Sequence, residues 1–482
     1  MNSQFGTIDW IIVIGYVAGA TMVGWYCRRF IKDVADFLVA GRSLGPYLGI
    51  AALAGTELGL ITVMYFAEEA YRYGYAAMIM GFISGGTMLF LGKTGFVVDK
   101  LRAMRVMTIP EYFERRYTKG VRILAASAIF VGGILNFGVF LKVEGIFLVK
   151  LLGLGDTWLI PLMATLLIIV LFYTLMGGMV SVVITDYIQF VILTVGIGIT
   201  TILVLNDAGW GHMVDSVRTA LGPEGFNPIT APHYGVTFII WQLLLYVSVW
   251  SIWQPVAARV FSSKDQKTGR KVLAWNGYLF VGRAIIPMVW GIAAFAMLGM
   301  TDKPLEAMPS YIAGMLPSGI AGVVTAGMLA ASMSTYAGYL LAWGAILSQD
   351  ILAPLRRKAL TESQNVWFTR FGVVLVGVFI FYWGLFYEFG DTVYRYLTLT
   401  GTLYLSGTMT GIVGGIYWKR ATPQGAYLAL ILGMVFPFVS VFAPTVIDSS
   451  LSGFLSFILA ILGLVVGSLL SPKTATGEGS QI

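Results

Sequence analysis

Charged residues are scarce in this 482-residue sequence. Only 11% of its residues are Asp, Glu, Lys or Arg, whereas 57% are hydrophobic and the mean hydropathy is +0.81. A soluble domain carries roughly 25% charged residues. The composition therefore excludes an ordinary soluble protein and indicates a chain that lies in a lipid bilayer.

Cysteine and histidine are scarce too. Cys27 is the single cysteine, so an intramolecular disulfide is excluded. The two histidines, His212 and His233, share one loop, where we interpret them as surface residues rather than a metal pair. The sequence has no P-loop, no zinc-ligand spacing and no nucleophile elbow. We therefore predict neither an ATP-driven pump nor an enzyme.

Long apolar runs recur along the whole chain, many of them of about 18 residues or more, which is enough for a helix to span a membrane. The first run is too long for a signal peptide and has no small-residue cleavage site. The sequence predicts an all-α integral membrane protein with about 13 transmembrane helices. They lie near residues 9–27, 45–71, 76–98, 121–151, 157–176, 180–205, 236–261, 272–299, 318–350, 366–387, 391–417, 424–443 and 452–470.

Lysine and arginine concentrate in every second loop. Because cytoplasmic loops carry the excess of positive charge, these loops are predicted to be cytoplasmic, with the N-terminus outside and the C-terminus inside. The net charge of +7 is then a signal of orientation and predicts no nucleic-acid partner. The basic loops contain Arg28, Arg29, Lys32 and Arg42; Lys100, Arg102, Arg105, Arg115, Arg116 and Lys119; Lys264, Lys267, Arg270 and Lys271; Arg356, Arg357 and Lys358; and Lys419 and Arg420.

Two spans contain residues that break helices. The second contains "AGTELG", with Glu57 between Gly55 and Gly59, and the seventh contains "SVWSIWQPVAARVF", in which Pro255 removes a backbone donor. The two spans are five apart, so they open two successive five-helix units. Breaks at matching positions of inverted repeats predict a binding site at the membrane midplane. Alternatively, the glycines serve only close helix packing.

The ninth span, "TAGMLAASMSTYAGYLLAWG", offers oxygen ligands. Ala331, Ser334 and Thr335 lie on one helical face because they are spaced i, i+3, i+4. Their oxygens, together with carbonyls freed at Gly55–Leu58, suit a hard monovalent cation such as Na⁺. The alternative is that both hydroxyls bond carbonyls of their own helix.

Several motifs in order resemble the sodium/solute symporter family. They are "DFLVAGRSLG" (36–45), "TIPEYFERRY" (108–117), "MGGMVSVVITDYIQF" (176–190), "WQPVAARVFSSKD" (253–265) and "YWKRATPQGA" (417–426). The resemblance implies a leucine-transporter-like core of two inverted five-helix repeats. On this basis we divide the chain into an extra helix and loop (1–44), two repeats (45–206 and 207–417), two C-terminal helices (418–470) and a disordered tail (471–482).

The resemblance also implies functional residues. The family's sodium site falls on Gly55, Leu58, Ala331, Ser334 and Thr335, which agrees with the ligand pattern above. Asp186 matches an acidic residue on the inner ion route; its alternative role is an interface carboxylate paired with a loop arginine. Relatives that bind a second sodium carry two further hydroxyls, at the positions of Ala337 and Gly338. Neither residue has a side-chain oxygen, so we predict one Na⁺ per solute.

We consider three roles for Glu57. A charge at mid-membrane costs about 3 kcal/mol on insertion scales, so it needs a partner or a task. Glu57 strengthens the ion site, binds an amino group of the solute, or pairs with Lys142. At Glu57 the chain resembles the proline carriers of the family, which have an acid at that position. At Trp253 and Gln254 it resembles the choline carriers instead, in which the matching tryptophan faces a quaternary amine. Arg283 is a further charge in mid-span that the sequence does not assign.

We therefore predict a secondary active transporter of the cell (inner) membrane, which acts as a monomer among membrane lipids. It couples Na⁺ to the symport of a small organic solute, an amino acid or amine, by alternating access. The alternatives are a Na⁺-coupled carrier for a carboxylate or sugar, and a sensor that binds the solute without transport. We expect no signalling domain, since the chain ends about a dozen residues after the last span.

Overall fold

The computed structural model describes residues 5–27, 44–355, 361–388 and 390–471. All regular secondary structure in this described part is helical, apart from an isolated backbone bridge between Leu44 and Ser263. Three predicted features lie outside the described residues: the basic loop after the first span, the basic cluster at 356–358 and most of the polar tail. The motif at 36–45 is described only from Leu44 onward.

The first half of the chain forms helices α1 to α10. Two of them, α2 and α3, take the place of the single second span, with Leu58 and Gly59 between them. A 3-10 turn at Gly74–Met78 links α3 to α4. The bounds are α1 Thr7–Cys27, α2 Pro46–Glu57, α3 Leu60–Tyr73, α4 Ile79–Thr94, α5 Phe96–Ala103, α6 Ile109–Arg116, α7 Lys119–Gly138, α8 Phe140–Leu151, α9 Leu159–Ala208 and α10 Trp210–Leu221.

The second half forms helices α11 to α19. The seventh predicted span is again split in two, as α11 and α12 around Trp253, and α15 continues into a π-helical segment at Ile346–Leu352. The bounds are α11 Gly235–Ile252, α12 Gln254–Ser262, α13 Gln266–Leu298, α14 Pro304–Met315, α15 Ile320–Ala345, α16 Glu362–Phe386, α17 Val393–Tyr417, α18 Pro423–Phe442 and α19 Ser449–Leu470.

Ten helices in the described part are long and apolar enough to cross a membrane, so the predicted number of 13 is not confirmed. Three features account for the difference: the apolar part of α1, Thr7–Val23, is short, one stretch, Leu60–Thr94, stands for the second and third predicted spans, and the threonine-rich α17 is less apolar than the other spans. The α9 helix has 50 residues and would be about 75 Å long if straight, against a hydrocarbon core of about 30 Å. Two separate apolar stretches, at 156–176 and 182–208, account for its length.

The α15 helix lies at the centre of the protein. Of its most apolar stretch, 89% is buried within the protein, compared with 33% for the second stretch of α9. It packs against α9, α16, α1 and α2. The N-terminus of α15 is held by Asp9 of α1, whose Oδ1 accepts hydrogen bonds from Gly319 N (2.8 Å) and Gly322 N (2.6 Å). The predicted extra helix therefore caps the helix that carries the predicted sodium ligands.

Two loop residues outside the spans, Asp265 and His233, have pKa values below the usual ones. Asp265 caps α13, and the hydrogen bonds it accepts from Thr268 hold the pKa of its carboxyl below the usual value. His233 precedes α11, where partial burial and the charge of Arg395 lower the pKa of its imidazole. The structure shows no group of three or more potential metal-ligating side chains among the described His, Cys, Asp and Glu residues.

Candidate functional site

The first helix break lies between α2 and α3. Leu58 leaves the helical conformation (φ −90°, ψ 54°), and Gly59 begins α3 as its N-cap. A side chain at Gly59 would collide with the hydroxyl of Thr335, and a Cβ at Gly55 would lie 3.4 Å from Ser334 Oγ. The two glycines therefore allow α15 to approach the broken backbone closely. This is the physical reason for glycines in the middle of an apolar span.

The second break lies at Trp253, between α11 and α12. Trp253 adopts an extended ψ of 118°, and Pro255 occupies the first turn of α12. A proline is tolerated there because the first backbone N–H groups of a helix have no partner within the helix. The break predicted from Pro255 is thus present, two residues before the proline.

Ser334 and Thr335 reach the first break across the helix interface. Thr335 Oγ1 donates to the carbonyl of Thr56 at 2.7 Å, and Ser334 Oγ donates to Asp186 Oδ1. The hydroxyls therefore do not bond carbonyls of their own helix, which was the alternative interpretation. Because each proton is directed to an acceptor, the oxygen lone pairs remain available at the break. This arrangement is suited to a cation ligand.

Asp186 is fully buried in the same cluster. Its Oδ2 accepts from Thr56 Oγ1 at 3.1 Å and lies 3.6 Å from Arg259 Nη2. Asp186 thus lies beside the predicted sodium ligands and pairs with an arginine of α12, not with a loop arginine. Arg259 packs so tightly against Gly338 that a side chain at position 338 would collide with the guanidinium.

Glu57 lies at the end of α2, between the two breaks. Both of its carboxylate oxygens are 3.3 Å from the hydroxyl of Tyr339, which also accepts from Trp253 Nε1 at 3.1 Å. The backbone carbonyl of Glu57 accepts a hydrogen bond from Arg283 Nη1. We call Glu57, Tyr65, Trp253, Arg283 and Tyr339 the central cluster.

Aromatic rings enclose the central cluster. Phe137 and Phe140 of core helices α7 and α8 contact the ring of Tyr339 at centroid distances of 5.4 and 5.5 Å, and the ring of Trp253 stacks on Tyr404 at 5.8 Å. Four residues of the cluster have 5 to 7% of their surface exposed and lie in the interior of the helical bundle: Glu57, Trp253, Arg283 and Tyr339. Polar groups that converge among aromatic side chains are typical of a small-molecule site.

Two predicted solute-binding residues lie elsewhere. Gln254 is buried, but its Oε1 accepts from Ile109 N at 2.9 Å and its Nε2 donates to Met107 O, so its amide is bound to the segment that leads into α6. Lys142 Nζ donates at 2.6 Å to the carbonyl of Tyr387, next to the end of α16. Within the described residues no ion pair joins Glu57 to Lys142, and the hydrogen bonds of the Gln254 amide give no support to its predicted solute contact. The cation that does bond to Glu57 is Arg283, which reaches its backbone carbonyl and not its carboxylate.

Six residues of the site were not assigned from the sequence: Thr56, Tyr65, Glu144, Arg259, Arg283 and Tyr339. Tyr339 follows Thr335 by four residues, so its position on the same helical face was a usable signal. Thr56, Arg259 and Glu144 gave no such signal. Glu144 Oε1 accepts from Ile61 N at 3.1 Å and so caps α3 from a helix 83 residues away in sequence. Such partners depend on tertiary structure, which spacing along one chain segment does not report.

Comparison with known proteins identifies the family. The model of the sodium:solute symporter family matches residues 37–433. The chain belongs to this family. Its sodium/solute symporter resemblance is therefore confirmed, and with it the conclusions that the protein is a multi-pass Na⁺-coupled solute symporter and acts in transport, not as an enzyme.

Relatives within the family carry different solutes. The sodium/sialic acid symporter of Proteus mirabilis is 23% identical over 450 residues, which cover 90% of this chain and 89% of the relative. The high-affinity proline transporter of Bacillus subtilis is 24% identical over 468 residues, covering 93% and 94% of the two chains. Identities this low do not transfer a solute to the present chain.

A solved structure confirms the fold. A Na⁺-coupled sialic acid symporter, in its substrate-bound outward-open state, matches with a TM-score of 0.82 at 19% identity and covers 97% of this chain and 99% of its own. The all-helical, leucine-transporter-like architecture predicted from the motifs is thereby confirmed.

Proposed function

We propose that the protein couples Na⁺ entry to the uptake of a small organic solute that carries an amino or ammonium group. One observation supports the solute class above others: the carboxylate of Glu57, bonded to Tyr339 and adjacent to Trp253, lies between the two broken helices. An acid beside aromatic faces attracts a cationic group. The proline transporter among the relatives supports an amino acid.

The proposed sodium site lies at the first break. Its ligands are the carbonyls of Gly55, Leu58 and Ala331 and the hydroxyls of Ser334 and Thr335. The support is the approach of both hydroxyls to the broken backbone, together with a buried Asp186 that accepts the Ser334 proton and leaves the oxygen lone pairs for the ion. Several neutral oxygens and a nearby carboxylate are what a hard cation requires to replace its hydration shell.

Coupling follows from the position of the break. Bound Na⁺ would tie α2 and α3 to α15, and Glu57 lies between the two carbonyl ligands on the broken segment. An ion that fixes this segment also fixes the solute-binding carboxylate, so the two affinities depend on each other. We propose that this fixed arrangement is the solute-competent outward state, and that loss of Na⁺ to the cytoplasm releases the solute.

We propose a stoichiometry of one Na⁺ per solute. Ala337 and Gly338 supply no side-chain oxygen beyond the first pair of hydroxyls. In addition, the guanidinium of Arg259 lies against Gly338 and beside Asp186. A second cation there would face an arginine and lack ligands, so Asp186 serves ion release rather than a second stable site.

We also propose an orientation in the membrane, the bounds of the two repeats and the oligomeric state. The alternation of basic loops supports an N-terminus outside and a C-terminus in the cytoplasm, in the cell (inner) membrane. The two breaks support inverted repeats at 45–206 and 207–417, between the extra N-terminal helix and the two C-terminal helices. Because both sites are built from a single chain, we propose that a monomer transports.

The experiment is uptake into proteoliposomes with and without an inward Na⁺ gradient, using labelled amino acids, amines, carboxylates and sugars. We expect Na⁺-driven uptake of an amine-bearing solute. The Glu57→Gln variant removes the charge and keeps the shape, so it should lower the solute affinity roughly tenfold or more while changing the Na⁺ affinity less. A larger loss of Na⁺ affinity would move Glu57 to the ion site. Preferred uptake of a neutral sugar would contradict the solute class.

A further inference from the structure

Arg283 is a buried cation that the sodium mechanism does not use. It lies near the middle of α13 and only 6% of its surface is accessible. An arginine at mid-membrane costs about 3 kcal/mol on insertion scales, so it needs a partner or a task. It donates a hydrogen bond to the backbone carbonyl of Glu57 and also contacts the Tyr65 hydroxyl.

The two opposite charges of the central cluster are close but do not form an ion pair. Arg283 is the cation whose charge acts most strongly on Glu57. Nevertheless, in the described part of the chain, no ion pair within 4 Å joins the guanidinium to the carboxylate; the carboxylate faces Tyr339. Each charge therefore remains available to a group of the opposite sign that enters between the breaks.

Aromatic rings fix the orientation of the guanidinium. Its central carbon lies 4.0 Å from the centroid of the Phe280 ring and 5.7 Å from that of Trp250, with the Tyr65 hydroxyl beside it. A guanidinium has five N–H donors in one plane; one donates to Glu57 O and another faces the Tyr65 hydroxyl. The remaining donors form a planar fork that matches a carboxylate. Packing against the aromatic rings already holds this fork in place before a solute binds.

We propose that Arg283 binds the carboxylate of the solute and that the solute is a zwitterion, an amino acid whose ammonium group lies at Glu57 and Trp253. The inference rests on the proposed function and narrows it. An amine without a carboxylate would neutralise Glu57 and leave Arg283 without an anion. A neutral sugar would leave both charges uncompensated. A zwitterion satisfies both with one molecule and adds no net charge to the buried site.

The test compares an amino acid with analogues that lack its negative charge. Purified protein in Na⁺ is screened for thermal stabilisation by the twenty L-amino acids, and the most effective one is then compared with its amide and its decarboxylated amine. We expect the wild type to bind both analogues roughly tenfold or more weakly than the acid. In Arg283→Gln the acid should lose that advantage, so that acid and amide bind alike. Arg283→Lys keeps the charge and should retain part of the preference.

Two controls separate binding from folding. Arg270→Gln removes a charge from the exposed end of the same helix and should keep the full preference for the acid. Stabilisation of Arg283→Gln by Na⁺ alone should persist, because the proposed sodium ligands are intact. If Arg283→Gln does not fold, the analogue series on the wild type and on Arg283→Lys decides.

The inference is overturned if the wild type binds the amide or the amine as well as the acid, if no amino acid stabilises it, or if Arg283→Gln retains the preference. Na⁺-driven uptake of an amine would still uphold the proposed function in these cases. Conversely, uptake that ignores the Na⁺ gradient would refute the proposed function while leaving the carboxylate contact of Arg283 measurable by binding.

Discussion

The hydroxyls of Ser334 and Thr335, which the spacing in the sequence places on one helical face, are two ligands of the proposed ion site. Both donate their protons across the helix interface, to Asp186 and to Thr56. Thr325, two to three turns earlier on the same buried helix, instead donates to its own helix at Ala321 O (2.7 Å). The same residue type thus serves either a helix backbone or a tertiary contact, and the structure separates the two.

This difference gives a matched pair of variants. Ser334→Ala or Thr335→Ala removes a proposed sodium ligand, which costs about 1 to 2 kcal/mol and should raise the Na⁺ concentration for half-maximal uptake roughly tenfold. Thr325→Ala removes an equally buried hydroxyl and should leave the Na⁺ dependence unchanged. Uptake is measured over a Na⁺ series in proteoliposomes. An unchanged Na⁺ dependence in the double variant would remove both residues from the site.

At the scale of the element, α3, the second half of the broken helix, is held at its N-terminus by residues of other helices. Glu144 of α8 accepts from Ile61 N in the first turn of α3, and the hydroxyls of Ser332 and Tyr336 of α15 face the same carboxylate. A carboxylate at a helix N-terminus is favoured by the backbone N–H groups and the helix dipole. One turn of α15 therefore contacts both halves of the broken helix, α2 through Ser334 and Thr335 and α3 through Glu144.

We expect Glu144→Ala to destabilise the protein by about 1 to 3 kcal/mol, because it leaves a buried N–H group without an acceptor. Glu144→Gln keeps a carbonyl oxygen for Ile61 N and should be milder. The measurement is the thermal midpoint of each purified variant in the presence of Na⁺. Equal midpoints for Glu144→Ala and the wild type would show that the cap contributes nothing to the stability of α3.

The sequence predicted the breaks but not their partners. Gly55, Gly59 and Pro255 have local conformational consequences, so they locate the interruptions from a few neighbouring residues. The bond from Arg283 to Glu57 joins positions 226 residues apart. For the same reason the sequence did not show that the Gln254 side chain bonds to Ile109 or that the Lys142 ammonium bonds to Tyr387.

At the scale of the whole molecule, hydropathy identified a membrane protein, but the predicted number of 13 spans is not confirmed, because ten helices of the described part are long and apolar enough to cross a membrane. The threonine- and tyrosine-rich α17 does not meet the criteria for a membrane span, yet it packs against α18, α19 and α7. Several of its polar side chains form hydrogen bonds inside the bundle; Thr402, for example, accepts from Trp241 Nε1 at 3.0 Å. Protein burial thus substitutes for lipid-facing hydrophobicity in this helix.

The central claim is that one Na⁺, bound where α2, α3 and α15 meet, drives one solute molecule across the membrane. The most direct test is a reversal-potential flux measurement in proteoliposomes, in which a fixed Na⁺ gradient is set against an opposing solute gradient and a clamped voltage. The account predicts that net flux vanishes at the voltage required by one Na⁺ per solute. A balance point that requires two Na⁺ ions, or one that does not move with the Na⁺ gradient, would contradict it.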